Sequence, residues 1–322
     1  MTSPFSIDDI RAARARIADS ALRTPLVRLN VDSSAIYLKL ENLQPIGSFK
    51  LRGAGNAIAL ATPEQLAHGV YTASAGNMAQ GVAWHARRLG IPCTVIVPDH
   101  APATKLEAIT RLGGDIIKVP FATWWQVLVT RQYPGQAGFF IHPVSDAAVM
   151  AGNGTIGMEI LEDLPQVDEI FVPYGGGGLA CGVATAVRAL KPDTRVYACE
   201  VETSAAFSAA LAADAPTSIE YIASFVDGIG SGSVLAEMWP LARALLDGSV
   251  VTTLADIAEA IRILAGRNRI IAEGAGAAPV AVALQREAAR RRDGAAPRTV
   301  VCVVSGGNID FEKLARIYRR EL

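Results

Sequence analysis

Short runs of β-branched and aliphatic residues alternate along the chain with longer segments in which apolar residues recur every three or four positions. The short runs predict strands at residues 36–41, 69–74, 93–98, 115–120, 169–174, 195–200 and 299–305. The longer segments predict helices at residues 78–90, 103–114, 154–164, 179–192 and 257–271. Because the predicted strands are almost continuously apolar, this alternation predicts an α/β protein whose parallel sheets are buried on both faces.

Composition narrows the class of protein. The chain has 322 residues, of which 51% are hydrophobic and 19% charged, with 30 Lys and Arg against 31 Asp and Glu. A basic excess that could meet nucleic-acid phosphates is absent from this sequence, so we expect no nucleic-acid partner. The four cysteines form no Cys-x-x-Cys pair and lie in apolar contexts, which predicts buried free thiols. Since no signal peptide or membrane-length apolar run occurs, we expect a cytoplasmic protein without a membrane partner.

Four Gly-rich stretches follow predicted strands or begin predicted helices. They are "ASAGNMAQG" (73–81), "PYGGGGLACG" (173–182), "AEGAGAAP" (272–279) and "VSGGNID" (304–310). Ligands of open parallel sheets bind beyond the carboxyl ends of the strands, where such loops collect. The second stretch has the order strand, four glycines, helix, which suits a phosphate group bound by backbone N–H groups. There are two alternatives: the glycines could merely turn the chain, or they could bind a dinucleotide, although the G-x-G-x-x-G spacing is missing. A P-loop is excluded, because its motif does not occur in the sequence.

Lys50 stands between Phe49 and Leu51, just after a Pro-Ile-Gly turn and where a helix is predicted to begin. A structural role is the ordinary interpretation of such a lysine. However, a phosphate-binding loop together with a partly buried lysine suggests pyridoxal phosphate, whose aldehyde forms a Schiff base with a lysine amine. Burial lowers a lysine pKa and so makes the free amine available.

Four motifs, in this order, resemble the signatures of serine/threonine dehydratases: "LENLQPIGSFKLRGA", "SAGNMAQGVA", "VPYGGGGL" and "VSGGNID". These enzymes are fold-type II pyridoxal phosphate enzymes, similar to tryptophan synthase β. The resemblance implies an α/β fold of two three-layer α/β/α domains with mostly parallel twisted sheets and the cofactor in the cleft between them. It places residues 1–48 and 150–322 in a large cofactor-binding domain and residues 49–149 in a small domain with the asparagine loop (residues 74–77). The family also implies a homodimer.

The resemblance implies a role for each matching residue. Lys50 carries the cofactor and acts as the acid/base at the substrate α-carbon, Phe49 packs near the ring, and Asn77 hydrogen-bonds the ring hydroxyl. Ser305 faces the pyridine nitrogen, where a hydroxyl makes the cofactor a weaker electron sink, which suits elimination. The implied phosphate-binding residues are Gly175, Gly176, Gly177, Gly178 and Leu179. The implied substrate-binding residues are Ser74, Ala75, Gly76, Asn77 and Met78.

The resemblance implies a lyase that converts a β-hydroxy-α-amino acid to a 2-oxo acid and ammonia. Several residues depart from the family pattern around the substrate. Met78 replaces the usual His, and Val144 and Ser145 replace Phe and Asp. Trp124 and Trp125 stand in the segment after residues 115–120 where dehydratases often have an acidic pair. Packing within a helix is the first interpretation of the two tryptophans. Together, the changes favour a substrate bulkier than serine or threonine, such as phenylserine.

Three other functions are weighed against this one. A racemase of the family has a serine where this chain has Ala75, and a β-replacement synthase has Asn or Asp beside the lysine, where this chain has Leu51. A non-catalytic phosphate-ligand binding protein is the distant alternative. Glu200 is a weak candidate for a cation site, since Ala206 stands where relatives with a divalent ion have Asp, so a monovalent cation remains open. Because the sequence ends at Leu322, we expect no C-terminal effector domain and no isoleucine feedback.

Overall fold

The computed structural model describes residues 4–32 and 35–322. Its strands are β1 Leu26–Arg28, β2 Ile36–Leu40, β3 Val70–Ala73, β4 Cys93–Pro98, β5 Asp115–Val119, β6 Phe139–Phe140, β7 Glu169–Pro173, β8 Arg195–Val201, β9 Ser249–Thr252 and β10 Val300–Val304. Its α-helices are α1 Ile7–Arg16, α2 Lys50–Leu60, α3 Pro63–Leu66, α4 Asn77–Leu89, α5 Ala103–Arg111, α6 Phe121–Thr130, α7 Ala147–Asp163, α8 Gly178–Leu190, α9 Ala206–Ala213, α10 Trp239–Leu245, α11 Leu254–Ile263, α12 Gly274–Arg292 and α13 Phe311–Tyr318.

The strands form two separate sheets. The larger sheet has the order β1-β2-β10-β7-β8-β9, and the smaller has the order β5-β4-β3-β6. Every pair of neighbouring strands is parallel except β1 and β2. Since β10 and β7 are neighbours, the loops that follow them meet at the same edge of the larger sheet. In the smaller sheet, β3 is an inner strand, and the asparagine loop follows its carboxyl end.

Both sheets are buried on both faces. Along β7, Ile170 and Val172 belong to one apolar cluster, while Phe171 between them belongs to another. In the smaller sheet, Val70 and Tyr71 are likewise divided between two clusters. Successive side chains of a strand point to opposite faces, so each sheet lies between two apolar layers. The mixed α/β architecture with mostly parallel sheets, predicted from the apolar strands, is therefore confirmed.

The seven predicted strands all form, within one or two residues of their predicted ends. The sequence did not predict β1, β6 or β9, which have only three, two and four residues. One predicted loop is wrong in part: from Gly274 onward, residues 272–279 form the first turns of α12. Small residues are needed there, because a Cβ on Gly276 would lie 2.6 Å from the carbonyl oxygen of Gly306. The helix predicted at 257–271 ends as α11 at Ile263 and continues as a π-helical turn, Leu264–Asn268.

The four cysteines are free and buried, as predicted. Within residues 4–32 and 35–322, the helices are all too short or too polar to cross a bilayer.

Candidate active site

Lys50 is the first residue of α2, and the preceding residues attach it to the loop after β10. Ser48 forms an antiparallel bridge with Gly306, and the Phe49 N–H donates to the carbonyl oxygen of Ser305 over 2.9 Å. The Lys50 amine donates to the carbonyl oxygen of Pro143 over 2.6 Å and lies 5.2 Å from the centre of the Phe49 ring. Burial lowers the pKa of Lys50 to about 8, so the neutral amine is accessible near physiological pH.

A buried group of four charges holds the start of α2 against the larger sheet. Arg52 binds Glu41 through Nε and Nη2, each over 2.8 Å, and binds Glu159 through Nη1 over 2.7 Å. Lys39 of β2 binds the same Glu159 over 2.6 Å. All four residues are at most 3% exposed. Paired, hydrogen-bonded charges are the form in which ions can be buried, so this network fixes the backbone two residues beyond Lys50.

The tetraglycine loop follows β7 and leads directly into α8. Gly177 has a φ of +92°, in the region that favours glycine. A Cβ on Gly176 would lie 2.6 Å from both Val144 methyl groups, and one on Gly178 would lie 2.5 Å from the Val144 carbonyl oxygen. In the described part of the chain, the N–H groups of residues 175–179 have no protein acceptor. A row of free N–H groups at the N-terminus of a thirteen-residue helix suits a phosphate group.

The asparagine loop lies across from the tetraglycine loop. The Ser74 hydroxyl accepts from the Gly76 N–H over 3.2 Å, and Asn77 begins α4 without a side-chain cap before it. Asn77 Nδ2 donates to Glu273 over 2.9 Å, while Asn77 Oδ1 accepts from Asn308 over 2.8 Å. The side-chain amide that the resemblance directs toward the cofactor is therefore held on two sides by protein.

A cavity of about 440 Å³ brings the predicted site residues together. Those that line it are Phe49, Lys50, Ser74, Ala75, Gly76, Asn77, Met78, Gly175, Gly176, Gly177, Gly178, Leu179 and Ser305. Met78, however, is only 1% exposed and belongs to the apolar core of the smaller sheet. Trp124 and Trp125 line the cavity and also pack against the core beneath α6, so packing does not account for all of their surface.

Glu200 is not among the residues that line this cavity. Its carboxylate accepts hydrogen bonds from the N–H groups of Phe207 and Ser208 over 2.7 and 2.8 Å, at the start of α9. The hydroxyls of Ser208 and Ser249 also donate to it, over 2.8 and 2.6 Å. Both carboxylate oxygens are thus occupied by protein donors. Among the residues that the structure describes, no group of three or more His, Cys, Asp or Glu side chains is placed to hold a metal ion.

The residues of the site that the sequence did not single out include Glu273, His142 and Pro143. Glu273 lies in the Gly-rich stretch 272–279, so its neighbourhood was marked, but the carboxylate was not. His142 Nδ1 accepts from the N–H groups of Val144 and Ser145 over 3.1 and 2.8 Å, and burial lowers its pKa to about 4. A neutral His142 therefore shapes the turn that presents the Pro143 carbonyl to Lys50, a contact without a local sequence signal.

A lysine of lowered pKa and a row of unpaired N–H groups line one cavity of a mostly parallel α/β fold, and this combination defines an enzyme that uses a phosphate-bearing carbonyl cofactor. Residues 17–306 match the model of the pyridoxal-phosphate dependent enzyme family, and the chain belongs to that family. The residues present fit its cofactor: an amine for the carbonyl, free N–H groups for the phosphate, and an amide and a hydroxyl, Asn77 and Ser305, beside them.

Two relatives and one solved structure agree with the predicted resemblance. The chain is 40% identical to the L-threonine ammonia-lyase of Geobacter sulfurreducens, over 99% of this chain and 79% of that one. It is 36% identical to the L-threonine ammonia-lyase of Thermotoga maritima, with the same coverage. Among solved structures, maize serine racemase superposes with a TM-score of 0.89 and 31% identity, over 99% of this chain and 98% of that one. The resemblance to the serine/threonine dehydratases is thereby confirmed.

Proposed function

We propose that this protein is a pyridoxal phosphate-dependent ammonia-lyase that converts a β-hydroxy-α-amino acid to a 2-oxo acid and ammonia. One observation carries the proposal: the amine of Lys50, with a pKa near 8, faces the cavity that the tetraglycine loop closes, in a chain similar to L-threonine ammonia-lyases. The cofactor lies, on this proposal, between the large domain (1–48 and 150–322) and the small domain (49–149).

Different residues of the cavity bind the cofactor phosphate, the cofactor ring and the substrate carboxylate. The N–H groups of residues 175–179 hold the phosphate, with the partial positive charge of the α8 N-terminus behind them. Residues 74–77 receive the substrate carboxylate at the uncapped start of α4. Phe49 and Ser305 flank the position of the cofactor ring, and their backbones are already joined by a hydrogen bond.

Lys50 also handles the proton. Pyridoxal phosphate, when bound, supplies an electron sink next to the substrate α-carbon. The neutral Lys50 amine takes the α-proton, and its lowered pKa keeps a useful fraction in that form. The Pro143 carbonyl gives the resulting ammonium a fixed acceptor at a site removed from bulk water. The β-hydroxyl takes up one proton and leaves as water, which balances the α-proton passed to Lys50. A second water molecule then hydrolyses the remaining enamine to the 2-oxo acid and ammonia.

Holoprotein and substrate test the proposal directly. Purified protein incubated with pyridoxal phosphate is expected to turn yellow, and borohydride is expected to bleach it and leave the label on the Lys50 peptide. L-Threonine or a bulkier analogue should then release 2-oxo acid and ammonia in equal amounts. Label and colour without any turnover would favour a non-catalytic binding protein, and an active Lys50→Ala variant would remove the enzyme proposal.

Racemase and synthase activities are the alternatives within the family. Maize serine racemase is a structural neighbour, but Ala75 lacks the hydroxyl or other acid/base group that would serve the second face of the α-carbon. The same preparation should therefore be assayed for D-serine from L-serine, and for cysteine from O-acetylserine and sulfide. Either activity above the lyase rate would replace the present assignment.

The aromatic wall of the cavity supports a proposal for the size of the preferred substrate. Phe121, Trp124 and Trp125 of α6 line it, and the Phe121 and Trp124 rings lie 5.5 Å apart. We infer a β-hydroxy amino acid bulkier than threonine, such as phenylserine, because apolar area buried against such a wall adds affinity. Values of kcat/KM for L-serine, L-threonine, 3-hydroxyaspartate and L-threo-phenylserine test this.

An advantage of threonine or serine over phenylserine by more than about tenfold would contradict the larger substrate. Two variants distinguish the loss of an aromatic contact with the substrate from a general loss of activity. Trp124→Ala should lower kcat/KM for phenylserine more than kcat/KM for threonine. Trp84 does not line the cavity, so Trp84→Ala should change the kcat/KM values for the two substrates by the same factor.

Other properties are inferred from the family. We infer a homodimer in the cytoplasm, which sedimentation and cell fractionation would test. A monovalent cation near Glu200 also stays a prediction, although protein donors already occupy that carboxylate. Equal activity in potassium and tetramethylammonium salts would contradict it.

A further inference from the structure

Glu273 occupies the N-cap position before α12, where the short side chain of Ser, Thr, Asp or Asn ordinarily accepts a hydrogen bond from the helix, and the longer Glu273 side chain makes no such cap. Its carboxylate instead accepts a hydrogen bond from Asn77 Nδ2 over 2.9 Å, across 196 residues of sequence. Glu273 is 8% exposed, and a Cβ on Gly306 would lie 2.5 Å from its Oε1 atom. The glycine after Ser305 thus leaves the space that this carboxylate fills.

The amide of Asn77 is held in one orientation by its two partners. An ionised carboxylate can only accept, so the Asn77 atom beside Glu273 has to be the nitrogen. On the other side, Asn308 Nδ2 donates both to Asn77 Oδ1 and to the carbonyl oxygen of Ile46, each over 2.8 Å. If the Asn77 amide were rotated by half a turn, its NH₂ group would face the NH₂ group of Asn308. If the Asn308 amide were rotated as well, its Oδ1 atom would face the carbonyl oxygen of Ile46, and no hydrogen bond could form there. The hydrogen bonds that link Ile46 to Glu273 through the two amides can therefore form in only one orientation of each amide.

We propose that Glu273 is a positioning residue for the cofactor: with Asn308, it fixes the Asn77 amide so that the remaining Nδ2 hydrogen is its donor to the cofactor ring. The proposal rests on the cofactor contact proposed for Asn77. It assigns a purpose to the Gly-rich stretch 272–279, which neither binds the phosphate nor follows a strand directly. It also explains why a carboxylate is kept in a buried place where desolvation opposes its charge.

The charges around Glu273 make this orientation sensitive to pH. Burial and the carboxylate of Asp227 raise the pKa of Glu273 to about 7, while Lys105 and the hydrogen bonds from Asn77 and the Asn308 backbone act in the opposite direction. Lys105 on α5 pairs with Asp227 over 2.8 Å. Below pH 7, the protonated carboxyl can itself donate, and Asn77 loses the requirement to present its nitrogen. The orientation is therefore strictest above pH 7.

The absorption and circular dichroism of bound pyridoxal phosphate test the proposal without relying on turnover. Glu273→Ala is expected to shift the visible spectrum and to weaken cofactor affinity about tenfold, since about 1.4 kcal/mol of positioning is lost. Asn308→Asp, which replaces the donor by an acceptor, should act in the same direction. Glu287→Gln is the matched control, because Glu287 is also 8% exposed on α12 but does not line the cavity.

Glu273→Gln keeps an acceptor oxygen without the titrating proton. Its holoprotein should have the wild-type spectrum above pH 7 but lose the spectral change between pH 6 and 8 that the wild type is expected to show. If Glu273→Ala does not fold, Glu273→Gln still tests the positioning proposal. Wild-type spectrum and affinity in Glu273→Ala, or identical pH titrations of the wild type and Glu273→Gln, would overturn the proposal.

A different result would contradict the lyase proposal. Wild-type protein that binds pyridoxal phosphate on Lys50 but releases no 2-oxo acid from any β-hydroxy amino acid would end that proposal. The spectral comparison among the Glu273 variants would still be decisive for positioning.

Discussion

The amine of Lys50 and the backbone carbonyl oxygen of Pro143 are joined by a hydrogen bond of 2.6 Å, although 93 residues separate them in the chain. Pro143 is presented by a turn whose N–H groups, at Val144 and Ser145, both donate to His142 Nδ1. The Lys50 amine is thus oriented by the segment that follows β6, and the side chain of Val144 in the same turn packs against the tetraglycine loop.

The reactivity of Lys50 toward small acylating reagents should reflect its lowered pKa. At pH 8, about half of the Lys50 side chains are expected as the free amine, against less than about 1% for an ordinary lysine with a pKa of about 10.4. Labelling of apoprotein with trace acetic anhydride from pH 6 to 11, followed by peptide mass spectrometry, measures the midpoint. The Lys50 peptide in urea-unfolded protein serves as the control. A midpoint above 10 in the folded protein would contradict burial as the cause.

Packing of the tetraglycine loop on Val144 should be visible in a double-mutant cycle. Gly176→Ala is expected to weaken pyridoxal phosphate affinity at least about tenfold, because the new Cβ would lie 2.6 Å from the Val144 methyl groups. Adding Val144→Ala removes these methyl groups and should restore much of the affinity.

The matched comparison is Gly178→Ala, whose Cβ would meet the Val144 carbonyl oxygen at 2.5 Å. Val144→Ala leaves that oxygen in place, so no rescue is expected there. Fluorescence titration with the cofactor measures the wild type and the five variants, and equal rescue at both glycines would show that the side chain of Val144 is not responsible.

Loss of Arg52 should be among the most destabilising changes in the chain. Burial acts to raise the pKa of Glu41, but the charge and hydrogen bonds of Arg52 bring it below the ordinary value. Arg52→Met would leave Glu41 and Glu159 buried with fewer partners, at a cost of about 3–5 kcal/mol in the free energy of unfolding. Urea unfolding measures it, with Arg11→Met, at an exposed pair with Asp8, expected to change stability by less than about 1 kcal/mol.

The stability of the apoprotein should fall with pH in the window set by Glu273. Its pKa is about 7 when folded, against the ordinary 4.5, so between these values the folded chain binds more protons than the unfolded one. The free energy of unfolding therefore decreases as pH rises from about 4.5 to 7, by at most about 3 kcal/mol from this group. Glu273→Gln should flatten that part of the curve, whereas Glu287→Gln should leave it as in the wild type. Parallel pH curves for wild type and Glu273→Gln would contradict the assignment.

Much of the architecture could be predicted from local patterns. The strands β7 and β10 are continuous apolar runs, and the loops after them contain the glycines and the serine that line the cavity. Strand period, loop chemistry and the position of Lys50 at a helix start all fall within windows of about ten residues. Four such windows in a family-specific order were enough to indicate the family and the reaction class.

Contacts between distant segments were decided only by the tertiary structure. The sequence marks Met78 as a departure in the pocket, and the structure shows that this residue lines the cavity while it is 1% exposed and also packs in the core of the smaller sheet. The 272–279 stretch looks like another ligand loop, yet close approach to Gly306 folds most of it into α12. Short strands such as β6 form because a neighbouring strand supplies their hydrogen bonds, which a local pattern does not record.

The sequence by itself determined which residue types stand after which strands, because helix and strand periods and glycine turns are properties of neighbouring residues. Only the tertiary structure decided which charges and amides meet: Arg52 with Glu41 and Glu159, and Asn77 with Glu273. The physical reason is that burial of these groups is tolerated only with partners, and the partners come from segments that the chain brings together when the two sheets and their helices pack.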